Sequence, residues 1–434
     1  MKSILIQGGR VLSPEDKLNS ELDILIEDGV IREIAPDLDA AGRGHAAAET
    51  IDALGQIVAP GFVDMHCHLR EPGGEISETL ETGLSAAVAG GFTAVCAMPN
   101  TRPVNDRPGS TRAMIERAKE IGLARVFPIA AVSMSSDGEA LADFEALVAV
   151  GAVAFSDDGR PVKTADLMRQ AMERARPLGV PIIDHCEVPA LSAGGAMNEG
   201  EVSRRLKVKG IPNASEDLCV ERDLRVAEET GAHLHVAHLS TAGACEMVRA
   251  AKRRGVRVTC EVTPHHFTLT DEAVEKYGTH AKMNPPLRCA VDLSRVLSAI
   301  SEGTVDALAT DHAPHAPELK SKPLADAPFG VIGFETALPL ALAQLVHSGR
   351  ISLAHLIVLM SSNPAHIIRQ TVNPSLGRLQ VGGAADITIF EPSREWTYRA
   401  AEGCSKSCNS PFDGWKFMGR ATATIVAGKI VYRA

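Results

Sequence analysis

The chain has 434 residues, 45% hydrophobic and 23% charged, an ordinary globular composition with room for one large barrel plus a smaller appendage. A formal charge of −10 without a basic run argues against a nucleic-acid partner, and no apolar run is long enough to span a bilayer. Nine cysteines with no Cys-x-x-Cys spacing, and an N-terminal apolar run too short for a signal peptide, fit a reducing cytoplasm. Both ends of the chain read as short β-rich runs. The first set is 3–6, 11–12, 24–27 and 30–34, punctuated by Gly8-Gly9 and Asp28-Gly29, and Asp-Gly between such runs predicts a hairpin. The last set is 386–390, 422–426 and 430–432, with Gly428 as a turn. Residues 1–57 and 366–434 are expected to pair into one small β-sandwich beside a central unit, 58–365.

In the central unit the rhythm is strand, loop, helix. Eight strands are predicted, at 63–68, 94–98, 126–132, 152–156, 181–185, 233–238, 256–262 and 306–310. Helices are predicted between most of them, among them 77–89 before Gly90-Gly91, 164–176 before Pro177-Leu178-Gly179, and 216–230 before Gly231. Eight alternating units favour a closed (β/α)8 barrel, with an open doubly wound sheet as the alternative. No Gly-x-Gly-x-x-Gly follows the first strand, which weakens a dinucleotide-binding role.

The stretch 61–73, Gly-Phe-Val-Asp-Met-His-Cys-His-Leu-Arg-Glu-Pro-Gly, leads from an apolar strand into two imidazoles. Residues i and i+2 share a strand face, so His66 and His68 point one way and Cys67 the other. A barrel carries its active site at the carboxyl ends of its strands. Those ends hold His66 and His68 (first strand), Asp158 (fourth), His185 (fifth), His238 (sixth) and Asp311 (eighth). Imidazole and carboxylate without convergent thiolates suit zinc or a similar divalent ion. Six such ligands exceed one open tetrahedral site and suit two metals sharing an anionic bridge, for which Asp158 is the natural candidate. Asp157 points away by strand alternation, as a turn carboxylate. His233 and His235 lie deeper on the sixth strand and are expected to hydrogen-bond rather than ligate. His265 and His266 are open between supporting the ligands and facing substrate, and Cys186 and Glu187 are expected in packing or loop roles.

Several motifs then converge: His66-Cys67-His68-Leu69-Arg70-Glu71-Pro72-Gly73, Met98-Pro99-Asn100-Thr101, Asp157-Asp158-Gly159, Asp184-His185-Cys186-Glu187, Lys282-Met283-Asn284-Pro285-Pro286-Leu287-Arg288, Ala309-Thr310-Asp311-His312-Ala313-Pro314-His315 and Ala327-Pro328-Phe329-Gly330. Together they resemble the amidohydrolase superfamily and, within it, the long bacterial dihydroorotases. The resemblance implies two Zn2+ per chain in a (β/α)8 barrel beside a small β-sandwich. His66, His68 and Asp311 would hold the buried ion, His185 and His238 the more exposed one, and Asp158 would bridge both. Many relatives bridge with a carboxylated lysine on the fourth strand; none occupies that strand here, which argues against hydantoinase or allantoinase. The implied reaction is reversible hydrolysis of dihydroorotate to N-carbamoyl-L-aspartate in de novo pyrimidine biosynthesis, by a hydroxide shared between the metals, with Asp311 as acid–base. His68, Arg70, Asn100, Asn284, His315 and backbone groups of Phe329 and Gly330 would contact substrate, Arg70 clamping its carboxylate. A homodimer is implied, with aspartate transcarbamoylase as a further partner. Two rival readings are another cyclic amidohydrolase of the hydantoinase or allantoinase type, which gives Arg70 no carboxylate to bind, and an inactive scaffold of a transcarbamoylase complex, against which all six ligand positions are filled.

Overall fold

The computed structural model describes residues 3–38, 49–368 and 375–434. Residues 1–2 and 39–48, within the expected N-terminal β segment, and 369–374, within the C-terminal one, lie outside the described residues. The central unit contains eight parallel strands: Phe62–Cys67, Phe92–Ala97, Arg125–Ala130, Ala154–Phe155, Ile182–Asp184, Leu234–Val236, Val258–Val262 and Ala307–Leu308. They neighbour one another in sequence order. The ring closes where Cys67 bridges to His312 and the His68 N–H donates to the His312 carbonyl at 2.9 Å. Every predicted barrel strand is present, most of them shorter than expected. Nearly all of their residues are buried, as parallel strands covered on both faces require. Their polar carboxyl ends leave the ladder early, and it is these ends that carry the predicted ligands.

Local sequence sets the helix limits. The Thr79 hydroxyl accepts from the Thr82 N–H at 3.1 Å and starts Leu80–Ala89. Thr164 does the same for Ala165–Leu178, and Gly231, at φ 66°, ends Ala214–Thr230 in the left-handed conformation that favours glycine. Inside the barrel, Val63, Met65, Ile129 and Ile183 cluster with Ala365, Ile367 and Ile368. Burying each large side chain there contributes roughly 1.5–3 kcal/mol.

The chain ends form one mixed sheet from Ser3–Ser13, Leu18–Glu27, Val30–Ala35, Glu49–Asp52, Ile57–Pro60, Ile387–Thr397, Lys416–Val426 and Lys429–Arg433. The predicted runs 3–6 and 11–12 are a single strand whose register shifts between Ile6 and Gly9. Its first half pairs with Glu49–Asp52 and its second with Ile57–Pro60. Ile57–Pro60 also pairs with Ile387–Thr397, which is how the two termini meet. The Asp28-Gly29 hairpin is present, with both residues left-handed at φ 49° and 85°. Residues from both ends, including Ile4, Ile24, Val58, Ile387 and Ile425, share one core. Arg125 ties the sheet to the barrel through both oxygens of Asp386, at 2.8 and 3.1 Å. The C-terminal segment does more than complete this sheet: Tyr398, Phe412 and Phe417 pack with Met283, Leu287, Val331 and Ile332, beside the loops that follow the last two barrel strands.

Candidate metal and substrate site

The barrel brings all six predicted ligands to one place. Asp158 lies between the imidazoles: Oδ1 is 3.3 Å from His66 Nε2 and 3.7 Å from both His185 Nδ1 and His238 Nε2, while Oδ2 is 3.5 Å from His68 Nε2. Asp311 Oδ1 is 3.0 Å from His68 Nε2 and 3.6 Å from His66 Nε2. Two buried triads have the spacing to hold an ion, His66 with His68 and Asp311, and His66 with Asp158 and His238. His185 Nδ1 joins the second group at 3.0 Å from His238 Nε2.

The donor set fits divalent cations on an independent ground. His66 Nε2, Asp158 Oδ1 and His238 Nδ1 are buried polar atoms with no hydrogen-bond partner, although buried polar groups are nearly always paired. Electrostatics agree. Burial opposes charge on His66, but Asp158 and Glu261 outweigh it and raise the imidazole pKa well above its usual value. Burial also opposes charge on Asp158, but His66, His238 and His68 hold its carboxyl well below the ordinary range. The site therefore stabilises positive charge at its centre.

Supporting residues fix the ring orientations. His66 Nδ1 donates to Glu261 Oε1 at 2.7 Å, which leaves Nε2 free to ligate, and Glu261 Oε2 takes His235 Nε2 at 3.1 Å. His235 therefore acts behind the ligands, as expected of its depth, and His233 bonds Thr259 at 2.8 Å. His68 Nδ1 donates to Asn100 Oδ1 at 2.9 Å, again leaving Nε2 to face the centre. His185 turns Nε2 to Asn284 Nδ2 at 3.1 Å and to Glu187 Oε2 at 3.7 Å. Arg70, His238 and Asp311 have left-handed backbones, at φ 63°, 32° and 44°. Such residues cost about 1–3 kcal/mol each and persist only where the surroundings hold them.

A cavity of about 170 Å³ opens beside this centre, lined by His68, Asp158, His185, His238 and Asp311 on the ligand side. Every residue expected to touch substrate also lines it: Arg70, Asn100, Asn284, His315, Phe329 and Gly330. Arg70 Nε donates to the Pro314 carbonyl at 3.1 Å, and no carboxylate lies within ion-pair distance of its guanidinium among the described residues. His315 Nε2, 3.3 Å from Arg70 Nη2, donates to the Phe329 carbonyl at 2.7 Å. Asp157 turns out of the site and accepts from the Ser133 N–H and hydroxyl at 3.1 and 2.6 Å. His266 is held by Thr263 and the Pro285 carbonyl, while His265 Nε2 is buried without a partner. Glu187 goes beyond its expected packing or loop role, since its carboxylate accepts from Asn284 Nδ2 at 2.8 Å beside His185. Its place two residues after the predicted ligand His185, in Asp184-His185-Cys186-Glu187, is the signal in the sequence. Lys320 and Asn409, which hold the loop after the eighth strand, left no such signal.

A family model described as Dihydro-orotase-like matches residues 55–244. The chain is 49% identical over 435 residues to the dihydroorotase of Geobacter sp. (strain M21), covering 100% of both chains. It is 48% identical to that of Citrifermentans bemidjiense, again over 100% of both. Among solved structures it matches an L-hydantoinase from Arthrobacter aurescens with a TM-score of 0.88 and 26% identity, over 100% of this chain and 96% of that one. A D-hydantoinase from Thermus sp. matches with a TM-score of 0.81 and 26% identity, over 99% and 95%. Barrel and mixed sheet are thus shared as one architecture.

Proposed function

The chain belongs to the dihydroorotase family, and from that premise we propose how its own residues carry out the reaction. It is a metal-dependent cyclic amidohydrolase of pyrimidine biosynthesis that opens the ring amide of dihydroorotate to N-carbamoyl-L-aspartate. In our reading two zinc ions per chain would be held by His66, His68 and Asp311 and by His185 and His238, with Asp158 as the residue that would be shared between them. The observation that carries this is the Asp158 carboxylate, which turns one oxygen towards three imidazoles and the other towards His68. When bound, the ions supply Lewis-acid activation of water and of the amide carbonyl. Asp311 takes one proton of the attacking water and delivers it to the leaving ring nitrogen, the new carboxyl group releases the other to solvent, and the reverse reaction uses the same group. Arg70 binds the substrate carboxylate with its planar fork, a reading supported by its guanidinium forming no ion pair among the described residues. Asn100 and His315 complete that pocket, Asn284 meets the ring, and Phe329 offers its backbone N–H, while the Gly330 N–H and carbonyl are taken by the Lys282 carbonyl and by Lys320 and Asn409.

The nine cysteines, none in a disulfide, suit the cytoplasm. A homodimer able to join aspartate transcarbamoylase completes the reading, and sedimentation with and without that enzyme measures both. The deciding assay presents dihydroorotate, hydantoin and allantoin side by side to metal-replete protein, with metal content read on the same sample. Hydrolysis of dihydroorotate alone with about two ions per chain supports the substrate and the paired site. Turnover of only a neutral ring refutes the role of Arg70, and about one ion per chain refutes the bridge.

A further inference from the structure

The loop after the eighth strand carries His315, Phe329 and Gly330, and two buried side chains outside the predicted ligand set hold its shape. Lys320 is 3% exposed, and its Nζ donates to three backbone carbonyls: Lys282 at 3.2 Å, Pro328 at 3.0 Å and Gly330 at 2.9 Å. No carboxylate pairs with it among the described residues. Asn409, 2% exposed, arrives from the C-terminal segment. Its Nδ2 donates to the Ala313 and Gly330 carbonyls, each at 3.0 Å, and its Oδ1 accepts from the His315 N–H at 3.0 Å. The two side chains meet at Gly330, whose backbone has φ 143°; a Cβ there would lie 2.6 Å from the Ala313 oxygen and 2.9 Å from His315 Cδ2.

A buried ammonium without a counter-ion is an expensive way to fill space, since an apolar side chain of similar length would pack without the desolvation cost. Burial, with Lys282 nearby, pushes the Lys320 pKa down to about 7. What the ammonium supplies that an apolar chain cannot is direction for carbonyls. A trans peptide is planar, so turning the Pro328 carbonyl towards Lys320 turns the Phe329 N–H the opposite way. Asn409 likewise sets Gly330 and His315 together. We propose that Lys320, with Asn409, is a positioning residue for substrate recognition, presenting the Phe329 N–H and His315 to the ring and carboxylate of dihydroorotate without touching it. This rests on the dihydroorotase reading.

The test is steady-state kinetics of Lys320→Met with dihydroorotate, beside metal content and thermal unfolding. The expected result is a KM raised on the order of tenfold, with kcat within about threefold and metal content unchanged, as for lost binding common to ground and transition states. An unchanged KM, or a fall in kcat alone, overturns the proposal. Asn409→Asp, nearly isosteric, sets a carboxylate against the carbonyls that Nδ2 now serves and is expected to raise KM in the same way. If Lys320→Met does not fold, the same criteria applied to Asn409→Asp decide. Wild-type protein that fails to hydrolyse dihydroorotate refutes the substrate reading itself, whereas active wild type with indifferent variants refutes only this inference.

Discussion

The barrel mouth and the region behind the fifth strand each hold a buried cluster of metal-binding side chain types. At the mouth, His66 Nε2 and Asp158 Oδ1 face each other with no hydrogen-bond partner. Behind the fifth strand, Asp184, Cys186, Cys219 and Asp223 also bring four donor atoms within 4.8 Å of one another. There, however, the partners are already present. Asp184 accepts from the Val162 N–H at 2.8 Å and Asp223 from Arg222 Nε at 2.7 Å, and the Cys186 and Cys219 thiols donate to these carboxylates at 3.5 and 3.6 Å. Arg222 Nη2 also reaches Asp184, at 3.4 Å, so a guanidinium supplies the positive charge. Donor type and spacing describe both clusters; unmet hydrogen-bonding capacity separates them.

The largest effect that sharpens this contrast is expected from Asp311→Asn. Loss of a general acid–base lowers kcat on the order of 10²–10⁴-fold, read from initial rates, with a smaller change in KM. Near-normal turnover would refute the role given to Asp311. Glu261→Gln should weaken the hold on His66 and cost on the order of 10–100-fold in metal affinity or activity, measured by chelator competition. Unaltered metal affinity would mean that the bond to His66 Nδ1 does not orient the ligand. Arg70→Lys keeps the charge but loses the fork, and KM for dihydroorotate should rise about tenfold with less change in kcat. The smallest effect is expected behind the fifth strand: Cys219→Ala should cost about 1 kcal/mol in a urea titration and leave metal per chain and activity as in the wild type. Loss of one ion per chain from that variant would break the comparison.

Much of the site was legible in the chain because it depends on short-range rules. Strand alternation puts His66 and His68 on one side and Cys67 on the other, and the barrel rule turns six strand-end residues into one centre. Alternation likewise separates Asp158 from Asp157, which bonds Ser133 instead. The motif resemblance then gathered Arg70, Asn100, Asn284, His315, Phe329 and Gly330, all of which line the cavity. The supporting bonds were harder to read. Glu187 lies two residues after His185 in sequence and takes a local bond from the Ser192 hydroxyl at 2.6 Å, yet only the approach of Asn284 from another loop ties its carboxylate to the cavity wall. Gly8-Gly9 resembles a turn between two short strands in the sequence, whereas in the sheet these residues mark a register shift within the single strand Ser3–Ser13.

The sequence by itself determined the alternating β and α rhythm, the helix caps, the ligand types and the family, because period, capping and motif are properties of neighbours along the chain. Tertiary structure alone decided which partner each buried group meets. Glu261 reaches His66 across 195 positions, and Asn409 reaches Ala313 across 96. Such pairings exist only after the barrel closes and the C-terminal segment packs beside its mouth, since a buried donor takes the acceptor that folding brings within reach, whatever its distance in sequence.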